Sequence, residues 1–289
     1  MHREFPVRVT GAFRLSDIYR GICRLECRMP SGPGTSVVEE FVESDDGKRL
    51  FLYSRHPGEA RAVLALVHEP GSDGARYRRL ALTLAAHGIA SCALDLRGCG
   101  RSPGARRGNE SLRAGLHDVR AMMARVRQRD PALPLFVLGH GRGALLACEY
   151  ALRYEGAVEG IICEGIRMRP SWIEAVRQRF PSFAGGFRRL AAALSASPRP
   201  PRRTLADLAV PLLLLHGSDD RTAPVSASEY LHGRVASADR TLLVFEGHGH
   251  GLLDGPGHAL VQDRICQWIE AQLTAGSDHH RIGIAYINE

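Results

Sequence analysis

Short apolar runs bounded by turn residues alternate with longer amphipathic ones along most of this chain, and few architectures accommodate that order. Val37 to Val42 and Arg49 to Tyr53, separated by Asp45, Asp46 and Gly47, predict an opening antiparallel hairpin. Val63 to Val67 predicts a buried strand, Tyr77 to His87 a helix, and Ile89 to Leu94 the next strand. Leu112 to Arg129 predicts a long helix, followed by a strand at Pro134 to Leu138 and a helix-compatible stretch from Ala144 to Cys148. Val158 to Cys163, Pro211 to Leu215 and Thr241 to Phe245 predict three more strands, and His258 to Leu273 a closing helix. The order implies an α/β fold with a mostly parallel central sheet covered by helices on both faces. A chain of 289 residues, 44% of them apolar, can bury one large core.

The alternation breaks once. Residues 1–36 read as an N-terminal extension, 37–165 as the first part of the core, 166–204 as an insertion, 205–274 as the second part of the core and 275–289 as a tail. The insertion has weakly amphipathic pieces at Trp172 to Phe180 and Phe183 to Leu194, then a proline-rich stretch from Pro198 to Pro201. Placed after a core strand, it predicts a short helical cap over the strand ends.

The insertion is strongly basic. Between Ile166 and Thr204 nine arginines, among them Arg167 and Arg169, face the single acid Glu174, a net of +8 against +7 for the whole chain. Such a field favours an anionic or amphiphilic small ligand, an acidic partner, or peripheral contact with an anionic membrane surface. A solvated arginine-rich face accounts for the same count, and Lys48 is the one lysine in the chain. No nucleic-acid-binding motif accompanies the charge. No window has the apolar length of a transmembrane segment or a signal peptide, so the expectation is a cytoplasmic protein. Seven cysteines, an odd and scattered set, predict reduced thiols, and Cys23 with Cys27 lacks the second pair of a zinc site. Neither metal nor cofactor is expected.

The turn after the Pro134 to Leu138 run reads Gly139, His140, Gly141, Arg142, Gly143. A Gly-x-Ser-x-Gly turn joins strand to helix so tightly that its central side chain is thrust into the site as a nucleophile. Here the central residue is Gly141, which has no side chain.

Four ordered segments resemble the α/β-hydrolase family, in its monoglyceride lipase and lysophospholipase-like branch. His68, Glu69, Pro70 and Gly71 through Arg76 and Tyr77 are similar to the branch's H-G-x-G-x-x-x-x-R-Y segment. Asp95 through Ser102 resembles its D-x-R-G-x-G-x-S loop, Leu213 to Arg221 its strand ending in H-G-x-x-D, and Glu246 to His250 its histidine loop. The resemblance covers about Val37 to Leu273. It implies Asp220 as the triad acid, in preference to its neighbour Asp219, and His250 as the base. It also places Glu69 and Pro70 on the loop that lends an oxyanion-hole N–H, and Arg142 just after the nucleophile position. Proline has no N–H to lend, and Glu69 stands where the family keeps glycine. His68, His140, Arg167 and Arg169 are the candidate ligand-binding residues.

The sequence therefore predicts a hydrolase-fold protein without serine-esterase chemistry that binds an anionic or amphiphilic ligand. The alternative is general-base hydrolysis by His250 with Asp220. A serine-to-glycine substitution engineered into an active lipase would account for Gly141, but leaves Glu69 and Pro70 unexplained. Gly139, Gly141 and Ala144 also satisfy G-x-G-x-x-A, the dinucleotide fingerprint, with Glu164 as its acid. His248, two residues from His250, invites a metal reading but has no evident third ligand.

Overall fold

The structure, a computed structural model, describes residues 8–9, 34–105, 111–168, 204–274 and 281–288. Its strands are β1 (Arg8–Val9), β2 (Ser36–Glu43), β3 (Arg49–His56), β4 (Ala62–Val67), β5 (Ile89–Leu94), β6 (Leu135–His140), β7 (Gly160–Glu164), β8 (Leu212–Gly217), β9 (Arg240–Phe245) and β10 (Ile282–Ile287). The helices are α1 (Arg78–Ala86), α2 (Leu112–Arg129), α3 (Arg142–Arg153), α4 (Val225–His232) and α5 (His258–Thr274). All ten strands form one sheet in the order β1-β10-β9-β8-β7-β6-β4-β5-β3-β2. Pairing is parallel from β5 through β10 and antiparallel at both margins.

The central strands β4 to β8 are buried along their whole length, which explains why they read as continuous apolar runs rather than as alternations. Period two still sorts their side chains. Val63, Ala65, Val67, Val137, Ile161 and Leu214 join α2 and α3 in one core layer, whereas Leu64, Leu66, Phe136, Ile162 and Leu213 join α1 and α5 in the other. Phe136 meets Trp268 of α5 edge to face, with ring centroids 5.9 Å apart. Helix α2 begins where Ser111 accepts a bond from the Ala114 amide at 3.1 Å.

The outer glycines of the β6–α3 turn are there for close approach. A Cβ on Gly143 would stand 2.2 Å from the Val67 carbonyl oxygen, and one on Gly139 would stand 2.3 Å from the Gly143 carbonyl oxygen. Both obstacles are backbone, so neither can step aside. Gly143→Ala is therefore expected to lose about 1–3 kcal/mol in denaturant unfolding, the usual cost of forced overpacking.

Three elements, β1, β10 and α4, fall outside the sequence reading. It assigns nothing after Leu273, yet Ile282–Ile287 extends the sheet as β10, parallel to β9 and flanked by β1 from the N-terminal extension. It also passes over α4. The cap predicted over 166–204, with Arg169 and the Trp172 to Leu194 pieces, lies outside the described residues from 169 to 203, as do Cys23 and Cys27. Among the described residues no helix is long and apolar enough to cross a membrane.

Candidate active site

Loops leaving the C-terminal ends of the parallel strands meet at one point, the usual location of sites in such sheets. Glu69 follows β4, Gly141 ends the turn after β6, Glu164 closes β7, and Asp220 and His250 follow β8 and β9. Gly141 has φ 55° and ψ −112°, a sharp left-handed conformation between strand and helix. Its amide donates to the Glu164 carbonyl at 2.9 Å, tying the turn to β7.

His250 Nδ1–H donates to Asp220 Oδ2 at 2.6 Å. Asp220 Oδ1 accepts from the amides of Thr222 at 2.7 Å and Ala223 at 2.9 Å, and His216 Nε2 lies 3.3 Å from Oδ2. Burial works against the carboxylate form of Asp220. The Ala223 amide, His250 and the Thr222 amide outweigh it and hold the carboxyl below its ordinary range. Asp219 takes no part in the pair; its Oδ1 accepts from Ser218 Oγ at 2.9 Å.

The opposite side of the His250 ring faces Glu69, whose Oε1 is 3.4 Å from His250 Nε2 and 3.6 Å from His140 Nε2. The two imidazole centroids lie 4.5 Å apart. Glu69 Oε2 is held by Arg167 Nη1 at 3.2 Å. A Cβ built on Gly141 would stand 2.5 Å from that same Oε2, so the Glu69 carboxylate occupies the space into which a side chain at position 141 would grow. Burial opposes the charged form of Glu69, but the attraction of the nearby His140 and His250 rings prevails and its pKa is strongly lowered.

Glu164 is the residue that sequence reasoning undervalued, naming it only as the acid of a dinucleotide fingerprint. It is fully buried, with Oε2 3.1 Å from His140 Nδ1 and Oε1 accepting from the amides of Leu252 at 2.9 Å and Leu253 at 3.2 Å. Arg76 adds an ion pair to Glu164 at 3.6 Å and another to Asp254 at 2.8 Å. Glu164 thus braces His140 and the His250 loop together. Despite burial, Glu164 and Glu69 push the His140 pKa up to about 9. An acid closing an otherwise apolar strand was the available signal, because a buried charge requires partners.

The other sequence candidates separate. His68 is fully buried; its Nδ1–H donates to the Glu69 carbonyl at 2.7 Å and its Nε2 accepts from the Leu96 amide at 3.0 Å. Both ring nitrogens are committed to backbone, so His68 shapes the loop and does not face a ligand. His248 donates from Nδ1 to the Glu246 carbonyl at 2.9 Å. Pro70 and Arg142 line a crevice beside the site together with Leu96, Cys99, Leu112 and Leu146. A pyrophosphate at the start of α3 would meet the Glu69 carboxylate, which argues against the dinucleotide reading.

The chain is 29% identical over 253 residues to the monoacylglycerol lipase of Mycolicibacterium smegmatis, covering 74% of this chain and 90% of that one. To the human monoglyceride lipase it is 26% identical, covering 72% and 81%. The soluble variant of the Saccharomyces cerevisiae monoglyceride lipase superposes with a TM-score of 0.62 at 20% identity, over 85% of this chain and 99% of that one. A Bacillus coagulans carboxyl esterase superposes with a TM-score of 0.66 at 16% identity, over 83% and 100%. These likenesses bear out the α/β-hydrolase fold. The serine aminopeptidase S33 family model matches residues 58–200 and 201–256, well over half of the chain, and the protein belongs to that α/β-hydrolase family.

Proposed function

We propose that this chain has left acyl-serine chemistry and uses its pocket to bind an anionic or amphiphilic ligand. The observation that carries the reading is the Glu69 carboxylate seated against Gly141, where the nucleophile of a hydrolase elbow would stand. A glycine cannot be acylated, and no backbone N–H is available from Pro70 to an oxyanion. A carboxylate in that seat also repels the negative charge that acyl transfer develops. For the ligand, support comes from the arginine-rich insertion, of which Arg167 already pairs with Glu69.

The second reading, general-base hydrolysis, draws on the intact His250–Asp220 hydrogen bond. Against it, Glu69 and Asp220 together hold the His250 pKa above its ordinary value in spite of burial. A raised pKa favours the imidazolium, the form with no lone pair to take a proton from water.

The test is turnover of monoacylglycerols and short acyl esters by the unmodified chain beside His250→Ala. The expected result is the same near-background rate for both. Clear turnover that His250→Ala abolishes overturns the proposal in favour of general-base chemistry.

A further inference from the structure

We propose that Glu69, His140 and His250 bind one first-row divalent transition-metal ion, of the zinc or iron(II) type, at the place where the fold usually puts its nucleophile. The inference goes beyond the loss of acyl-serine chemistry, which stands or falls separately. One carboxylate oxygen and two imidazole nitrogens form a donor set that such ions accept, and it leaves coordination positions open.

The geometry fits. With metal–donor bonds of about 2.0–2.1 Å, tetrahedral donors lie about 3.3–3.4 Å apart. Glu69 Oε1 stands 3.4 Å from His250 Nε2 and 3.6 Å from His140 Nε2, and all three donor atoms lie within 4.8 Å of one another. His250 Nε2 is buried without a hydrogen-bond partner of good geometry, an unsatisfied atom aimed into the cluster. Arg167 takes Glu69 Oε2 and leaves Oε1 for the ion, which favours one-oxygen coordination.

The surroundings fit as well. Metal-binding histidines characteristically give their other ring N–H to a carboxylate, which fixes the tautomer and the ring plane. His250 does so, from Nδ1 to Asp220 Oδ2 at 2.6 Å, and a carboxylate also stands beside the second ring, Glu164 Oε2 lying 3.1 Å from His140 Nδ1 without hydrogen-bond geometry. Both carboxylates are fully buried and braced, Asp220 by two amides and Glu164 by two amides and Arg76. Gly141 completes the arrangement, because a side chain there would collide with Glu69.

The experiment titrates chelator-stripped full-length protein with Zn2+ against a chromophoric chelator, and with Co2+ while following its visible absorption. The expected result is one equivalent bound, with a Co2+ spectrum of low coordination number. Glu69→Gln and His250→Asn should each weaken Zn2+ binding at least tenfold. Glu164→Gln, which touches no metal, should weaken it by about 10–100-fold. Gly141→Ala should weaken it without removing any donor, by displacing Glu69. The tail at 275–289 carries two adjacent histidines, and the His279→Ala/His280→Ala variant should bind as the parent does. Thermal melts identify variants that fail to fold; Glu69→Gln, isosteric and only half-buried, then decides. Binding that survives Glu69→Gln, that vanishes with the two tail histidines, or that never reaches one equivalent overturns the proposal.

Discussion

Replacing Arg97 by alanine should destabilise the chain by about 3–5 kcal/mol, the cost of leaving a buried charge without its partner. The Arg97 guanidinium spans two carboxylates, meeting Asp46 at 2.6 and 2.9 Å and Asp118 through Nε at 2.8 Å, while its own amide bonds Asp118 at 3.0 Å. The Asp118 side chain is fully buried, whereas Asp46 is about one-third exposed at 36%, so most of the loss resides in the Asp118 pair. Even with Arg97 present, burial holds the Asp118 pKa above its ordinary value. Without it, the carboxyl must either protonate or draw water into the core. A loss of that size lowers the melting temperature by on the order of 10 °C. Arg97→Lys should rescue little, because an ammonium cannot present the planar fork that bridges both acids. Arg97→Ala/Asp118→Leu should recover part of the loss by removing the orphaned charge. A melting temperature for Arg97→Ala within two degrees of the parent would show that the bridge contributes nothing.

Placing a hydroxyl at position 141 should give no ester turnover unless Glu69 is removed as well. In Gly141→Ser the new Cβ would stand 2.5 Å from Glu69 Oε2 and 3.0 Å from its carboxyl carbon. The serine also inherits a φ of 55°, which an L side chain tolerates poorly. The single variant is therefore expected to show no ester turnover above the parent. Gly141→Ser/Glu69→Gly clears the seat and lets His250, still hydrogen-bonded to Asp220, face the hydroxyl. That variant should gain measurable turnover, held about 10²–10³-fold below a complete site by the oxyanion donor that Pro70 lacks. Adding Pro70→Gly should raise the rate further. Full activity in Gly141→Ser alone would mean that Glu69 does not hold the seat in solution.

Much of the frame was legible because buried parallel strands and amphipathic helices carry strong periodic signals. Ile89 to Leu94 and Leu112 to Arg129 were readable to the residue. Strand β10 was missed although Ile282, Ile284 and Tyr286 alternate with Gly283 and Ala285, because a short strand beyond the closing helix depends on a neighbour, β9, that local sequence does not reveal. Helix α4, Val225 to His232, carries two serines and a glutamate among few apolar residues, too weak a stripe to announce itself.

At the site, the Asp220–His250 pair followed from spacing in a resemblance, and the structure brings both side chains within hydrogen-bond distance. What spacing could not supply was the direction of Glu69. The acid was visible beside Pro70, but its reach into the space over Gly141 depends on a fold that brings the ends of β4 and β6 together. Glu164 was hidden for the same reason, since its partners His140, Leu252 and Arg76 come from three distant parts of the chain.

Intact-mass analysis of the unmodified protein after exposure to a fluorophosphonate tests the central claim most directly. The proposed loss of acyl-serine chemistry predicts an unchanged mass, with Gly141→Ser/Glu69→Gly acquiring one adduct at residue 141. A stable single adduct on the unmodified chain would contradict the account.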